Sequence, residues 1–429
     1  MNSLDARNCP ADTTSRDALA PRGLDYRVTG AEERADFLRA VTRGFLEGEP
    51  TAASLSELEG HPARRSIGVF DASAVQPIPV STVESWVTPL TVPGGEVPMW
   101  AISNVTVAAT HRRRGIARAM LEGELRAAKT AGVAIAGLTV TEATIYGRYG
   151  FAPAAPVATV KVDAKLAGWQ APEPTARILF VDREQLATDL GELHERTRGD
   201  RLGDIAGWDH RWRQHAGLDT AAESPEKIRG VRAVDSSGKT VGSMAYRLVE
   251  GADYRRHTLR ILHLVTATSD ARAALWKFAI EHDLVETVEA FNQPIDDPLP
   301  WQVHDANRVE QRVSEHGWLR ILDVPAALSA RRFEGGFGVR IAVTDPLGLT
   351  EGSWTLAQLG ADGLRVEPLA QGAEADIALD IGALSAAYLG AVRLETLQAA
   401  GRVSGSADKI RALSDALRAR ALPHLSIVY

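Results

Sequence analysis

Apolar positions recur at helical spacing in some stretches of this chain and at every second residue in others, and the switches between the two periods outline its elements. Residues 32–47 carry Phe37, Leu38, Val41 and Phe45 on one face, which predicts an amphipathic helix. Residues 66–70 and 80–88 read as strands separated by turn residues. Residues 100–107 close on Val105, Thr106 and Val107, a β-branched run typical of a strand. A helix follows to about Thr130, with Ile116, Met120, Leu121, Leu125 and Ala128 near helical spacing and Gly132 where a C-terminal cap belongs. Then come a buried strand over 134–140 and a short helical turn ending in Tyr146-Gly147-Arg148-Tyr149-Gly150-Phe151. Helix, antiparallel strands, then strand–helix–strand predicts a mixed α/β (α+β) sheet for residues 23–156.

The outline repeats faintly over residues 157–312. Helices are expected at 184–196 and 208–215, a hairpin at 231–249, a strand at 259–267 and a helix at 271–282. A third unit is expected over 313–429, with strands at 337–344, 353–356, 364–367 and 375–379 and helices at 381–389 and 406–418. The chain ends on an apolar run, Leu425-Ser426-Ile427-Val428-Tyr429, whereas mobile tails are polar, so this end is expected to be buried. Residues 1–22 are polar and lack an apolar core of signal-peptide type, which predicts a disordered lead.

Composition narrows the class. A chain of 429 residues, 45% hydrophobic and 24% charged, has room for two or three globular domains. No apolar run reaches the length of a membrane span. Cys9 is the single cysteine, which leaves no intrachain disulfide and no thiolate zinc cluster; the expected setting is cytoplasmic, with no metal. The formal net charge of −7 disfavours nucleic acid as a partner and suits a cationic one.

The candidate chemistry lies where the strand ending at Val107 runs into Arg112-Arg113-Arg114-Gly115-Ile116-Ala117. A helix N-terminus offers unpaired N–H groups and partial positive charge, arginines add bidentate phosphate contacts, and glycine permits close backbone approach. A basic, solvated helix start or a nucleic-acid patch would look similar over those six residues. The whole arrangement resembles the pyrophosphate loop of the GNAT acyl-CoA N-acetyltransferases. Tyr146 to Phe151 resembles the end of a GNAT core, where a tyrosine faces the cofactor sulfur. The equivalent place in the second unit reads Ala267-Thr268-Ser269-Asp270-Ala271-Arg272, without glycine and with a negative charge. That unit is expected to be a degenerate GNAT domain.

More widely, the chain resembles the enhanced intracellular survival (Eis) type of multi-acetylating aminoglycoside N-acetyltransferases. The likeness runs through V-T-V-A-A-T-H-R-R-R-G, I-Y-G-R-Y-G-F, the L-D-V-P-A-A-L passage from Leu322 to Leu328, and A-Y-L-G with A-A-G-R-V between Ala387 and Val403. It implies tandem GNAT domains followed by a sterol-carrier-protein-like domain, hexameric assembly, and a terminal carboxylate reaching into the first active site. It implies acetyl-CoA as co-substrate and amines of polycationic acceptors, aminoglycoside-like or protein lysine, as targets. By resemblance, Tyr146 protonates the departing thiolate, and Tyr429 contributes its α-carboxylate. Val105, Val107, Arg112, Arg113, Gly115, Ile116, Ala117 and Thr141 hold the cofactor. Glu47 is placed as an acidic substrate contact on the first helix, with a solvated glutamate as the alternative. Tyr149, His111, Trp208, His210, Trp212 and His215 are read as packing or surface residues, and Glu142 as orienting its loop. Val428 stands beside the terminus where a better-known relative has an acidic residue. The alternative from another class is a non-catalytic acyl-CoA or lipid-binding module.

Overall fold

The computed structural model describes residues 4–57, 63–140, 142–219, 224–251, 253, 256–358 and 363–429. The first domain, preceded by α1 (Thr13–Leu19), comprises β1 (Leu24–Val28), α2 (Arg34–Gly44), α3 (Ala52–Glu57), β2 (Arg65–Asp71), β3 (Ser81–Val92), β4 (Gly95–Val107), α4 (Ile116–Thr130), β5 (Ile135–Thr139), α5 (Ala143–Tyr146) and β6 (Ala152–Asp163). The apolar stripe read from sequence is what α4 buries: Ile116, Met120, Leu121, Leu125 and Ala128 are inaccessible in the core beside Trp100 and Leu138.

The second domain runs α6 (Ala164–Ala167), β7 (Arg177–Val181), α7 (Arg183–Arg198), α8 (Asp209–His215), β8 (Ile228–Val234), β9 (Thr240–Val249), β10 (His257–Thr266), α9 (Ser269–Ile280), β11 (Val285–Gln293) and β12 (Val309–Ile321). Both domains share one twelve-stranded sheet, in the order β1-β2-β3-β4-β5-β12-β6-β11-β10-β9-β8-β7. Strand β12 joins the halves. Its C-terminal part pairs antiparallel with β5, Trp318 opposite Leu138, while its N-terminal part pairs with β6, Arg312 opposite Thr159. The boundaries drawn at 156/157 and 312/313 therefore fall inside continuous strands, and the second unit extends to Ile321.

The third domain holds α10 (Val324–Ser329), β13 (Phe337–Thr344), β14 (Gly352–Gln358), β15 (Leu364–Pro368), β16 (Ile377–Asp380), α11 (Ile381–Ala387), α12 (Leu394–Ala399), β17 (Val403–Gly405) and α13 (Ala407–Leu417). Its sheet runs β15-β14-β13-β16-β17. Arg320, fully buried on β12, locks the three domains together. It donates to Tyr149 O of the first (2.9 Å) and to Thr350 Oγ1 (2.8 Å) and Asp345 Oδ2 (2.6 Å) of the third.

Residues 4–22 do not form the disordered lead expected of them. Asp12 caps α1 through Ser15 N (2.7 Å) and pairs with Arg126 on α4 (2.8 Å), and the Ser15 hydroxyl donates to Ala119 O (2.6 Å). Ala6 and Leu19 are buried in the first domain's core. Buried Arg65 donates to the carbonyls of Cys9 (3.2 Å) and Pro10 (2.8 Å) while pairing with Glu124 (2.5 Å). The segment is polar because it is tied down by hydrogen bonds more than by apolar area.

Candidate active site

The site begins with a break in the sheet. Strands β4 and β5 run parallel only where Met99–Ala101 face Ile135–Gly137. Beyond Ala101 a β-bulge shifts the β3–β4 register between Thr82 and Glu84, and Asn104 takes a left-handed φ of 52°. The bulge is held from β3: Thr82 Oγ1 donates to Asn104 O (2.8 Å), and Asn104 Nδ2 donates to Glu84 Oε2 (2.7 Å). The strands splay apart, and Val105 follows the bulge without an opposite residue in β3.

A cavity of about 420 Å³ opens in the splay. It brings together Val105, Tyr146, Tyr429 and Glu47, four residues named from sequence, with Thr139 of β5 and with His210 and Arg211 of α8. Tyr146 is buried, its ring edge-on to Phe151 at 6.2 Å. Burial, reinforced by Glu142 and Tyr149, lifts the phenol above its ordinary value. Helix α2 stops at Gly44, so Glu47 lies in the turn after it, exposed at the cavity mouth, rather than on the helix as expected.

The chain end is threaded between the domains. His424 N donates to Leu202 O (2.7 Å), and the Ser426 hydroxyl donates to Asp204 Oδ2 (2.9 Å). Further along, His316 Nε2 donates to Ile427 O (3.1 Å) and Arg211 Nη2 to Val428 O (2.5 Å). Tyr429 N donates to Thr139 Oγ1 (3.3 Å), and that hydroxyl in turn donates to Tyr429 O. The Tyr429 ring packs edge-on against Trp86 at 5.5 Å, its phenol raised by burial.

The far end of β4 leads to the helix mouth. Val107 closes the strand opposite Ser81; Arg112, Arg113, Arg114 and Gly115 are exposed, and Ile116 is buried. Arg113 (φ 64°) and Gly115 (φ 72°) are both left-handed, which curls the backbone into a concavity of N–H groups of the kind that holds anions. Among the described residues no side chain caps α4, and its first internal bond is Ala119 N to Gly115 O (3.0 Å). The N–H groups of Ile116, Ala117 and Arg118 are thus left for a ligand. This loop fits a diphosphate. The matching helix of the second domain does not: Thr268 caps α9, and Asp270 in its first turn accepts from Thr175 N (2.9 Å) and Ala176 N (2.8 Å). Thr141 lies outside the described residues.

Several lining residues carried no local signal in the sequence. Arg64 lies over the Trp86 ring (4.4 Å) and pairs with Glu84 (2.8 Å); Arg211 lies over Trp208 (5.1 Å), whose ring meets Trp86 at 6.2 Å. The Trp86–Trp208 contact crosses from one domain to the other, as does Arg64 over the Trp208 ring at 5.9 Å. His210, read with its neighbours as packing or surface, lines the cavity with Asp219 at 2.9 Å from its Nε2. Burial, then the neighbouring Arg64, lowers the Arg211 guanidinium to about 10, so it stays charged at neutral pH.

Comparison with known proteins agrees with this geometry. Residues 25–154 and 204–321 each match a model of an acetyltransferase (GNAT) domain, and residues 324–426 match a sterol carrier protein domain. An uncharacterized N-acetyltransferase of Streptomyces avermitilis is 34% identical over 413 residues, covering 92% of this chain and 96% of that protein. N-acetyltransferase Eis of Mycobacterium tuberculosis is 31% identical over 345 residues, covering 78% and 81%. The crystal structure of Eis1 from Mycobacterium abscessus superposes with a TM-score of 0.79 at 30% identity, covering 95% and 100%. A GCN5-related N-acetyltransferase from Anabaena variabilis, 17% identical, shares the fold with a TM-score of 0.78. The chain belongs to the Eis-type GNAT family: an acetyl-CoA-dependent N-acetyltransferase with two GNAT domains and a sterol-carrier-protein-like third.

Proposed function

We propose that the acceptor amine enters the cavity between Tyr146 and the chain end and attacks an acetyl thioester laid along the open edge of β4. The observation that carries this reading is the convergence of Val105, Tyr146 and Tyr429 on one cleft in the splay of β4 and β5. The diphosphate of acetyl-CoA sits on the backbone of Arg113 to Ala117, with the Arg112 and Arg113 side chains beside it. The Val105 N–H polarises the thioester carbonyl. The amine nitrogen bonds to the acetyl carbon as the carbon–sulfur bond breaks. The sulfur takes the Tyr146 proton, and the amine sheds its proton to the Tyr429 carboxylate, directly or through water. A terminal carboxylate ionises near pH 3.3–3.7 and is a weak base, so its larger service is to hold the incoming ammonium.

The second GNAT domain acts as wall and clamp, since α9 is already satisfied by its own Thr268 and Asp270. The finer expectation of a polycationic acceptor, aminoglycoside-like or a lysine side chain, draws support from Glu47 and the chain-end carboxylate. Assembly as a hexamer is part of the same proposal and rests on family likeness alone. The test is Tyr146→Phe. It should lower kcat by about 10²-fold or more while leaving acetyl-CoA affinity intact, read as thiol release and by calorimetry. A non-catalytic acyl-CoA-binding module would be indifferent to the change.

A further inference from the structure

The segment that precedes β1 runs back along α4 and ends at the helix mouth. Its contacts step toward the N-terminus of α4: Asp12 meets Arg126 (2.8 Å), the Ser15 hydroxyl donates to Ala119 O (2.6 Å), and Arg22 Nη1 donates to Arg114 O (2.5 Å). The packing is close, because a Cβ on Gly123 of α4 would stand 2.8 Å from Ser15 Oγ and 2.7 Å from the Tyr26 hydroxyl. After α1, a short 3-10 turn over Ala20–Arg22 and a left-handed Gly23 (φ 71°) lead the chain into β1. Arg22 is therefore delivered to the loop between β4 and α4 by a segment already fixed at Asp12 and Ser15.

The other end of that loop is held from the same corner of the β1–β2 pair. Leu24 faces Asp71 where the ladder begins, and Ala72 N donates to Gly23 O (3.1 Å). Asp71 Oδ2 lies 2.9 Å from His111 Nε2. One corner of the sheet thus grips the loop at His111 and again at Arg114. Arg22 Nη1 would also stand 3.3 Å from a Cβ on Gly115, so the guanidinium lies against the left-handed curl of Arg113 and Gly115. A carbonyl beside an anion site repels what the N–H groups attract, and the bond from Arg22 occupies the Arg114 carbonyl. The rest of this exposed guanidinium makes no hydrogen bond or ion pair among the described residues. Arg118, in the first turn of α4, is by contrast paired with Glu122 (2.7 Å).

We propose that Arg22 belongs to the acetyl-CoA site: it fixes the curl of the diphosphate loop through the Arg114 carbonyl and adds its own charge to the diphosphate. This rests on placing the diphosphate at Arg113 to Ala117. It adds to that site a side chain 92 residues from Arg114, in the segment ahead of the stretch that matches a GNAT domain, which begins at residue 25. The segment before β1 thereby acquires a part in cofactor binding.

The experiment is calorimetry on the full chain with CoA and with dephospho-CoA, which share the diphosphate and differ in the 3′-phosphate. Arg22→Gln should weaken both by about ten-fold. In turnover the loss should fall on the KM for acetyl-CoA rather than on kcat or the amine KM, and the melting temperature should stay within about two degrees. Arg22→Lys keeps a charge and a donor and should recover affinity to within about three-fold of wild type. Arg16→Gln removes an exposed arginine of the same segment, paired with Asp17, and should bind CoA as the wild type does. Gly115→Ala puts a Cβ on a left-handed residue and should weaken CoA by itself, which tests the placement of the diphosphate. Undiminished affinity in Arg22→Gln, an equal loss in Arg16→Gln, or a loss for CoA without one for dephospho-CoA overturns the role of Arg22 and leaves the loop as the cofactor site. CoA affinity untouched by Gly115→Ala and Arg22→Gln alike overturns the placement and this inference with it.

Discussion

In the proposed mechanism the chemistry turns on Tyr146, and its setting makes its behaviour with pH specific. Burial holds its phenol above the ordinary value of 10, so it keeps its proton wherever an acceptor amine loses one. kcat/KM should therefore rise with pH and level without a falling limb below about pH 10. A falling limb centred near pH 8 would assign the proton donor elsewhere. Removing Tyr429 alone should lower turnover by about 10²-fold with acetyl-CoA affinity retained, because Thr139 and Trp86 hold that residue away from the helix mouth. Unchanged turnover would reduce the chain end to packing. The place of Tyr146 at the cavity was legible in the sequence because its signal is local: a helical turn closed by Gly150 in the left-handed region (φ 81°) just before Phe151. Arg64 and Arg211 were not, because each acquires its role from a tryptophan or a carbonyl more than twenty residues away.

Among the elements, the chain end is the most sensitive to acid. His424 is pushed down to about 4 by burial and His215 to about 3, and burial lowers His316 beneath the Ile427 carbonyl as well. A histidine with a depressed folded-state pKa binds fewer protons folded than unfolded. Its contribution to stability is therefore complete above about 6.5 and is lost as pH falls toward 4. The melting temperature should drop through that window, and turnover should fall with it as the tail lets go. A flat melting profile from pH 7 to 4 would mean that these histidines are not held neutral. Elements with one environment along their length were read correctly from sequence, as with α4 and β13. Strand β12 was missed because its first half is mostly exposed and its second half buried, so no single period describes it. Strand β6 is buried on both faces for much of its length and shows no alternation to find. The lead was misjudged for a related reason: its anchors are an N-cap, an ion pair and two carbonyls, none of which raises local hydrophobicity.

At the scale of the molecule, two GNAT sheets fused through β12 place a chain end from the third domain against the candidate site of the first. The Arg320–Asp345 pair, with both side chains fully buried, is the central rivet of that arrangement. Asp345→Ala leaves the guanidinium buried and unpaired, at a cost of about 3–5 kcal/mol, and should lower the melting temperature and loosen the tail together. A melting temperature within a degree or so of wild type would show that the third domain docks without it. The most direct measurement of the whole scheme is a crystal structure of the full chain with CoA. The expected result has the diphosphate on the N–H groups of Arg113 to Ala117 and the sulfur within about 3.5 Å of the Tyr146 hydroxyl. A diphosphate lodged at α9 or elsewhere, or a Tyr146 hydroxyl turned away from the sulfur, would contradict it.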